Sequence, residues 1–148
     1  MTPSEDRIES LNNAIVKASF EAWASGAGSP YGLLANDASG TTFGHSAASK
    51  TYPSKEAFLR EVIRPFNARM SGGLKSTTQD VCAEGDTVIV FFDASGTARD
   101  GKPYANTYAW FLSLESSKVM KASAFFDSIV FNDFWQRVQP EPSKSPKE

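Results

Sequence analysis

An α+β fold, with helices packed on one face of a curved antiparallel sheet, is predicted by three features of this 148-residue sequence. Apolar residues recur at helical spacing through the N-terminal part. Four later segments alternate with the period of two expected of strands. Short polar breaks rich in glycine, aspartate and serine separate those four segments, as in a meander.

The elements follow in order. Thr2-Pro3-Ser4-Glu5 opens a helix, with Thr2 as cap, Pro3 in the first turn and Glu5 three places after the cap. Ile8, Leu11, Ile15, Ala18 and Ala22 mark its apolar stripe to about Ala24, and Gly26, Gly28 and Pro30 end it. A helical turn is expected over Tyr31 to Ala35, and a strand over Ala38 to Phe43 that leads into a loop through His45. Ser54 can cap a third helix with Phe58, Val62 and Phe66 on one side. Pro65 should kink that helix, and Gly72-Gly73 should end it. Strands are then expected over Leu74 to Ala83, Thr87 to Ala98, Tyr104 to Leu114 and Val119 to Phe131. Asp100-Gly101 reads as a type I′ hairpin turn, in which both central residues take positive φ. Residues 1–138 are expected to form one domain and 139–148 a frayed polar tail.

Bulk properties exclude several function classes. The net charge of −2, with charges scattered, offers no basic surface for nucleic acid. No apolar run reaches the roughly 20 residues needed to span a bilayer, and the acidic, amphipathic N-terminus does not read as a secretory signal. One cysteine, Cys82, allows no internal disulfide and fits a reducing, cytoplasmic setting. With one histidine and one cysteine, no metal-ligand spacing appears.

The candidate site centres on the stretch Lys121 to Trp135. Read as one strand, it places Ser123, Phe125, Asp127, Ile129 and Phe131 on one side, with both sides largely apolar. A carboxylate there is either held by backbone amides or a cation, or has a raised pKa suited to proton transfer. In the strand before it, Tyr104, Asn106, Tyr108, Trp110 and Leu112 form the large set, leaving Ala105, Thr107, Ala109 and Phe111 outside. One strand earlier, the set Ile89, Phe91, Asp93, Ser95 and Thr97 would bring Asp93 beside Asp127, so that the pair shares a proton. Alternatively Asp93 only ends the regular part of its strand. Tyr108 and Asn106 could bond a substrate oxygen, with Trp110, Phe91 and Phe125 as apolar walls. Tyrosine and tryptophan on a strand are more often core or interface residues than ligand contacts. His45 reads as a surface or rim residue.

With those elements placed, the sequence resembles a SnoaL-like, ketosteroid-isomerase-like member of the NTF2-like superfamily. The likeness rests on Gly85 to Val90 (GDTVIV), Asp100 to Phe111 (DGKPYANTYAWF) and Ala124 to Asp127 (AFFD). It implies a cone: three N-terminal helices on a strongly bent antiparallel sheet, a ligand cavity at the open end, and a homodimer through the sheet's outer side. Asp127 is similar to the late-strand aspartate of SnoaL-like cyclases and to the Y-F-D aspartate of limonene-epoxide-hydrolase-like members. Asp93 falls on the second aspartate of that second group, but the arginine that bridges the two falls on Phe91. The base of ketosteroid isomerases falls on Thr42, which cannot take the proton. The resemblance therefore implies a cofactor-independent, metal-free acid–base enzyme of cyclase, isomerase or hydrolase type. Its substrate would be a small apolar carbonyl or polycyclic compound, with Asp127 moving the proton and Asp93 tuning it. A non-catalytic ligand-binding protein, or an association domain with a filled cavity, is the alternative.

Overall fold

In a computed structural model, which describes residues 3–140, the chain is α+β with a six-stranded sheet. The expected Thr2 cap and residues 141–148 of the expected tail lie outside the described residues. Helix α1 (Pro3–Ala24) ends where Gly26 takes a φ of 79°. The amides of Gly26 and Ala27 bond back to Trp23 O and Ala22 O at 3.1 and 2.8 Å, the paired closure a left-handed glycine permits. Its buried face differs from the expected stripe. Asn12, Val16, Phe20 and Trp23 pack inward, while Ile8 and Leu11 are exposed. The aromatic pair decides this, because burying Phe20 and Trp23 removes more apolar area than burying Ala18 and Ala22.

A single 3-10 turn (Pro30–Leu33) leads into β1 (Leu34–Thr42), and β2 (Thr51–Tyr52) folds back on it. Ser54 caps the next helix by accepting from Ala57 N at 3.1 Å. That helix runs unbroken through α2 (Lys55–Phe58), a π-helical turn (Leu59–Ile63) and α3 (Arg64–Asn67). The π-turn sits just before Pro65, where the missing amide and the ring's bulk prevent regular α-helical bonding. Strands β3 (Lys75–Glu84), β4 (Thr87–Thr97), β5 (Pro103–Glu115) and β6 (Lys118–Phe126) form the meander. The sheet order is β2-β1-β6-β5-β4-β3. Every pairing is antiparallel except β1 with β6, so the sheet is mixed.

The helices are not all N-terminal. β6 stops at Phe126, and Ser128–Arg137 is helix α4, not the continuation of a strand. Phe131, Phe134, Trp135 and Val138 stand at the i, i+3, i+4, i+7 spacing of a helix face. Phe134 packs on Phe66 and Tyr104 at ring separations of 4.8 and 4.7 Å. Arg69 ties this helix down. It is buried, its Nε donates to the carbonyls of Trp135 and Val138 at 3.2 and 2.9 Å, and its guanidinium lies 3.9 Å from the Trp135 ring centre.

Candidate functional site: an aromatic cavity

Between the concave face of the sheet and the helices lies a cavity of about 720 Å³, within the size range of small-molecule sites. Phe20 and Trp23 of α1, Tyr31, Phe58 and Val62, Trp110 and Tyr108 of β5, and Phe126 and Phe131 line it. Trp23 and Trp110 stack at 6.4 Å, and Tyr31 meets Trp110 at 6.0 Å, so flat rings form much of the wall. Among the described residues, no aspartate, glutamate, histidine or cysteine is a lining residue. The charged ones are all cationic: Lys55, Arg64 and Lys75, of which Arg64 bonds Glu56 at 2.8 and 3.2 Å. The remaining polar groups are chiefly hydroxyls, including those of Tyr31, Tyr108 and Thr42.

Burial pushes Tyr31 and Tyr108, two of the three lining tyrosines, up from the ordinary value, Tyr108 far up and helped by neighbouring Tyr104. Each is therefore a neutral hydroxyl near neutral pH, able to donate or accept a hydrogen bond but not to serve as a phenolate base. Tyr52, which donates to Ala48 O at 2.5 Å, is pushed up to about 12 by burial and then by Glu61. Behind Tyr108 a hydrogen-bond chain runs into the protein. Tyr108 and Tyr104 hydroxyls are 2.7 Å apart, and Asn106 Nδ2 donates to Tyr104 at 3.0 Å.

The sequence profile of the SnoaL-like domain matches residues 16–122, which spans most of the strands and helices that build this cavity. The chain belongs to the SnoaL-like family. A search of curated proteins finds no match. Among solved structures, this SnoaL-like chain is similar to Bal32a from a soil-derived mobile gene cassette, with a TM-score of 0.70 and 21% identity over 86% of this chain and 98% of that one. It is similar to a candidate SnoaL-like polyketide cyclase from Jannaschia sp. CCS1, with a TM-score of 0.65 and 16% identity over 87% and 91% of the two chains. It is also similar to TerC, co-crystallised with polyporic acid, with a TM-score of 0.65 and 15% identity over 84% and 98%. The fold is thus NTF2-like, with a curved sheet dominated by antiparallel pairs.

Within this SnoaL-like domain the expected site residues separate into two groups. Tyr108, Trp110 and Thr42 line the cavity. Asn106 is buried behind it, joining Tyr104 to the backbone of Asp127. The others lie elsewhere. Asp127 is not a strand residue facing inward. It caps α4, accepting from Ile129 N at 2.9 Å and Val130 N at 3.3 Å. The amides at a helix start are orphan donors, and a carboxylate satisfies them well. Asp93 points to the sheet's outer face, accepting from Gln79 and Thr107, each at 2.6 Å. Phe91 and Phe125 share that face, pairing with Ala109 from either side and 42% and 48% exposed. His45 sits in an exposed loop, its backbone bonding Ser128 Oγ at 3.2 Å and Asn132 Nδ2 at 3.0 Å. Tyr31 and Phe58 are lining residues that the strand-by-strand reading missed, because a loop turn and a helix carry them.

Two one-residue offsets account for the outward turn. A type I′ turn at Asp100-Gly101 would pair Arg99 with Lys102, and so place Asp93 opposite Tyr108 and Phe91 opposite Trp110. Only Gly101 takes positive φ, at 86°. Gly101 N bonds Ala98 O and Ala98 N bonds Lys102 O, both at 2.9 Å, which makes a type I turn followed by a glycine bulge. Phe92 then pairs with Tyr108 and Asp93 with Thr107. In the next hairpin Ser116 and Ser117 form the turn with φ of 49° and 67°, and Leu114 pairs Val119 while Ser113 pairs Lys121. The residue passed over, Met120, is a bulge that brings Phe126 rather than Phe125 opposite Tyr108. A slip of one residue exchanges the two faces of a strand.

Proposed function

We propose that this SnoaL-like domain binds a small, mostly apolar ring compound in its cavity, and that it does so without proton transfer by Asp127. The observation that carries this reading is the composition of the lining: aromatic rings and hydroxyls, with no carboxylate, imidazole or thiol among the described residues. Such a wall stacks on flat rings and offers hydrogen bonds to a few polar atoms. It provides no carboxylate, imidazole or thiol as an ordinary general base. The likeness to TerC, solved with polyporic acid, and to a candidate polyketide cyclase agrees with a ring-bearing ligand. The cationic edge of the cavity suits a compound with an acidic or electron-rich end.

The test uses the two lining tryptophans, Trp23 and Trp110, as reporters. Acetylnaphthalene should quench their fluorescence saturably, and Ala124→Phe, which fills the lining beside Trp110, should weaken binding by tenfold or more. Asp127→Asn should leave the affinity within about twofold. A compound that the protein turns over, with turnover lost in Asp127→Asn and binding kept, would contradict the reading.

We further propose a homodimer through the outer sheet face. Phe43, Phe91, Phe111 and Phe125 are all exposed on the surface, and Phe43 stacks on Phe125 at 5.2 Å. Phe91, Ala109 and Phe125 form one cross-strand row, with Phe111 one row away. Sedimentation should show a dimer that Phe111→Lys converts to a monomer; a wild-type monomer at micromolar concentration contradicts it.

A further inference from the structure

We propose that Tyr108 presents its hydroxyl proton, not its lone pairs, to the cavity, so that the ligand is one bearing an oxygen acceptor such as a ring ketone. The inference rests on the cavity-binding reading and adds the polarity of the contact. Asn106 sets the direction. Its Oδ1 accepts from two backbone amides, Thr107 N at 2.8 Å and Asp127 N at 3.1 Å, which fixes which end of the side chain is oxygen. Nδ2 must therefore donate, and it does so to Asp127 O at 3.1 Å and to the Tyr104 hydroxyl at 3.0 Å.

Tyr104 is buried, and its other neighbour is the Tyr108 hydroxyl at 2.7 Å. With one lone pair of Tyr104 taken by Asn106, its proton has Tyr108 oxygen as acceptor; otherwise a buried donor would be left unpaired, at full desolvation cost. Tyr108 oxygen then receives a proton from behind, and its own proton is left for the space that it lines. Among the described residues Tyr108 has no other hydrogen bond. Tyr31, another phenol of the lining, makes no hydrogen bond to Tyr108 among the described residues. The donors align in one sense, from Asn106 through Tyr104 and Tyr108 to the ligand, and each polarises the next. Asn106 and Tyr104 are positioning residues.

The experiment compares acetylnaphthalene with the same isomer of isopropenylnaphthalene, which has the same shape and no acceptor. Wild type should bind the ketone about fivefold to tenfold more tightly, and the bound carbonyl stretch should move to lower frequency. Tyr108→Phe should bring the two affinities within about twofold and remove the frequency shift. Asn106→Asp replaces the inner donor by an acceptor, so Tyr104 turns inward and Tyr108 follows. The ketone preference should vanish there although Tyr108 is intact. Tyr108→Phe keeps the proposal testable if Asn106→Asp does not fold. Equal binding of both probes by wild type overturns this inference alone, as does a preference that survives Tyr108→Phe. Failure of both probes to bind overturns the cavity reading and this inference together.

Discussion

The two faces of strand β5 carry opposite chemistry. Tyr104, Asn106, Tyr108 and Leu112 are buried on the concave side and joined by rings and hydroxyls. One residue away, Thr107 reaches out to Asp93, and Phe111 lies 39% exposed. The neighbouring strands obey the same division: Phe92 is 0% exposed and Phe91 is 42% exposed. The carboxylates that a proton-transfer site would need, Asp93 and Asp127, are on the outer face or spent on a helix start. The concave face of β5 carries neutral donors and acceptors. The lesson is that an offset of one residue decides whether Asp93 joins the phenols of β5 or faces outward.

The sharpest way to break that comparison is to truncate adjacent rings of β4. Phe92→Ala should lower stability by about 3–5 kcal/mol, the usual cost of emptying a buried phenylalanine site. Phe91→Ala should cost under about 1 kcal/mol, as exposed positions generally do. Urea denaturation read by circular dichroism decides it. Equal losses, or the reverse order, would mean that the faces have been exchanged.

A second test uses alkali. All four tyrosines in the sequence, Tyr31, Tyr52, Tyr104 and Tyr108, have their pKa raised, with burial as the leading cause. Unfolded tyrosines lose their protons near the ordinary value of about 10, while the folded ones keep theirs. The unfolded state then binds fewer protons, so stability is complete below about pH 10 and falls as pH rises beyond it. The slope is about 1.4 kcal/mol per pH unit for each tyrosine that stays neutral. Phenolate absorbance should rise only as the protein unfolds; free titration of the tyrosines in the folded protein near pH 10 would contradict their burial.

A smaller effect separates the two aspartates. Asp127→Ala removes the cap of α4 and should cost about 1 kcal/mol, leaving ligand affinity unchanged. Asp93→Ala removes two exposed bonds on the outer face and should cost less still. Thermal unfolding of the two variants ranks them, and a loss of ligand binding in Asp93→Ala would place that residue inside.

Much of the fold was legible. The breaks at Gly85, Gly101 and Ser116-Ser117 mark the hairpins, Ser54 announces its helix, and the alternation of Tyr104 to Leu112 assigns the inner face of β5 correctly. Three things were not. Ile8 and Leu11 compete on paper with Phe20 and Trp23 for the buried side of α1, and only the area of the aromatic pair settles it. Asp127-Ser128 followed by Phe131, Phe134, Trp135 and Val138 carries a cap and a helical period, yet the apolar run before it reads on as strand. The faces of β4 and β6 depend on bulges at Gly101 and Met120, and two apolar sets of similar bulk do not reveal which one turns inward. Those offsets misplaced Phe91, Asp93 and Phe125, and the unread helix start misplaced Asp127.

The most direct measurement is of nuclear Overhauser contacts from bound acetylnaphthalene to the aromatic rings of the protein. Contacts to Tyr108, Trp110 and Phe58, with none to Phe91 or Phe125, are the predicted result. Contacts centred on Phe91, Phe125 or the Asp93 side of the sheet would contradict a ligand site built on the concave face.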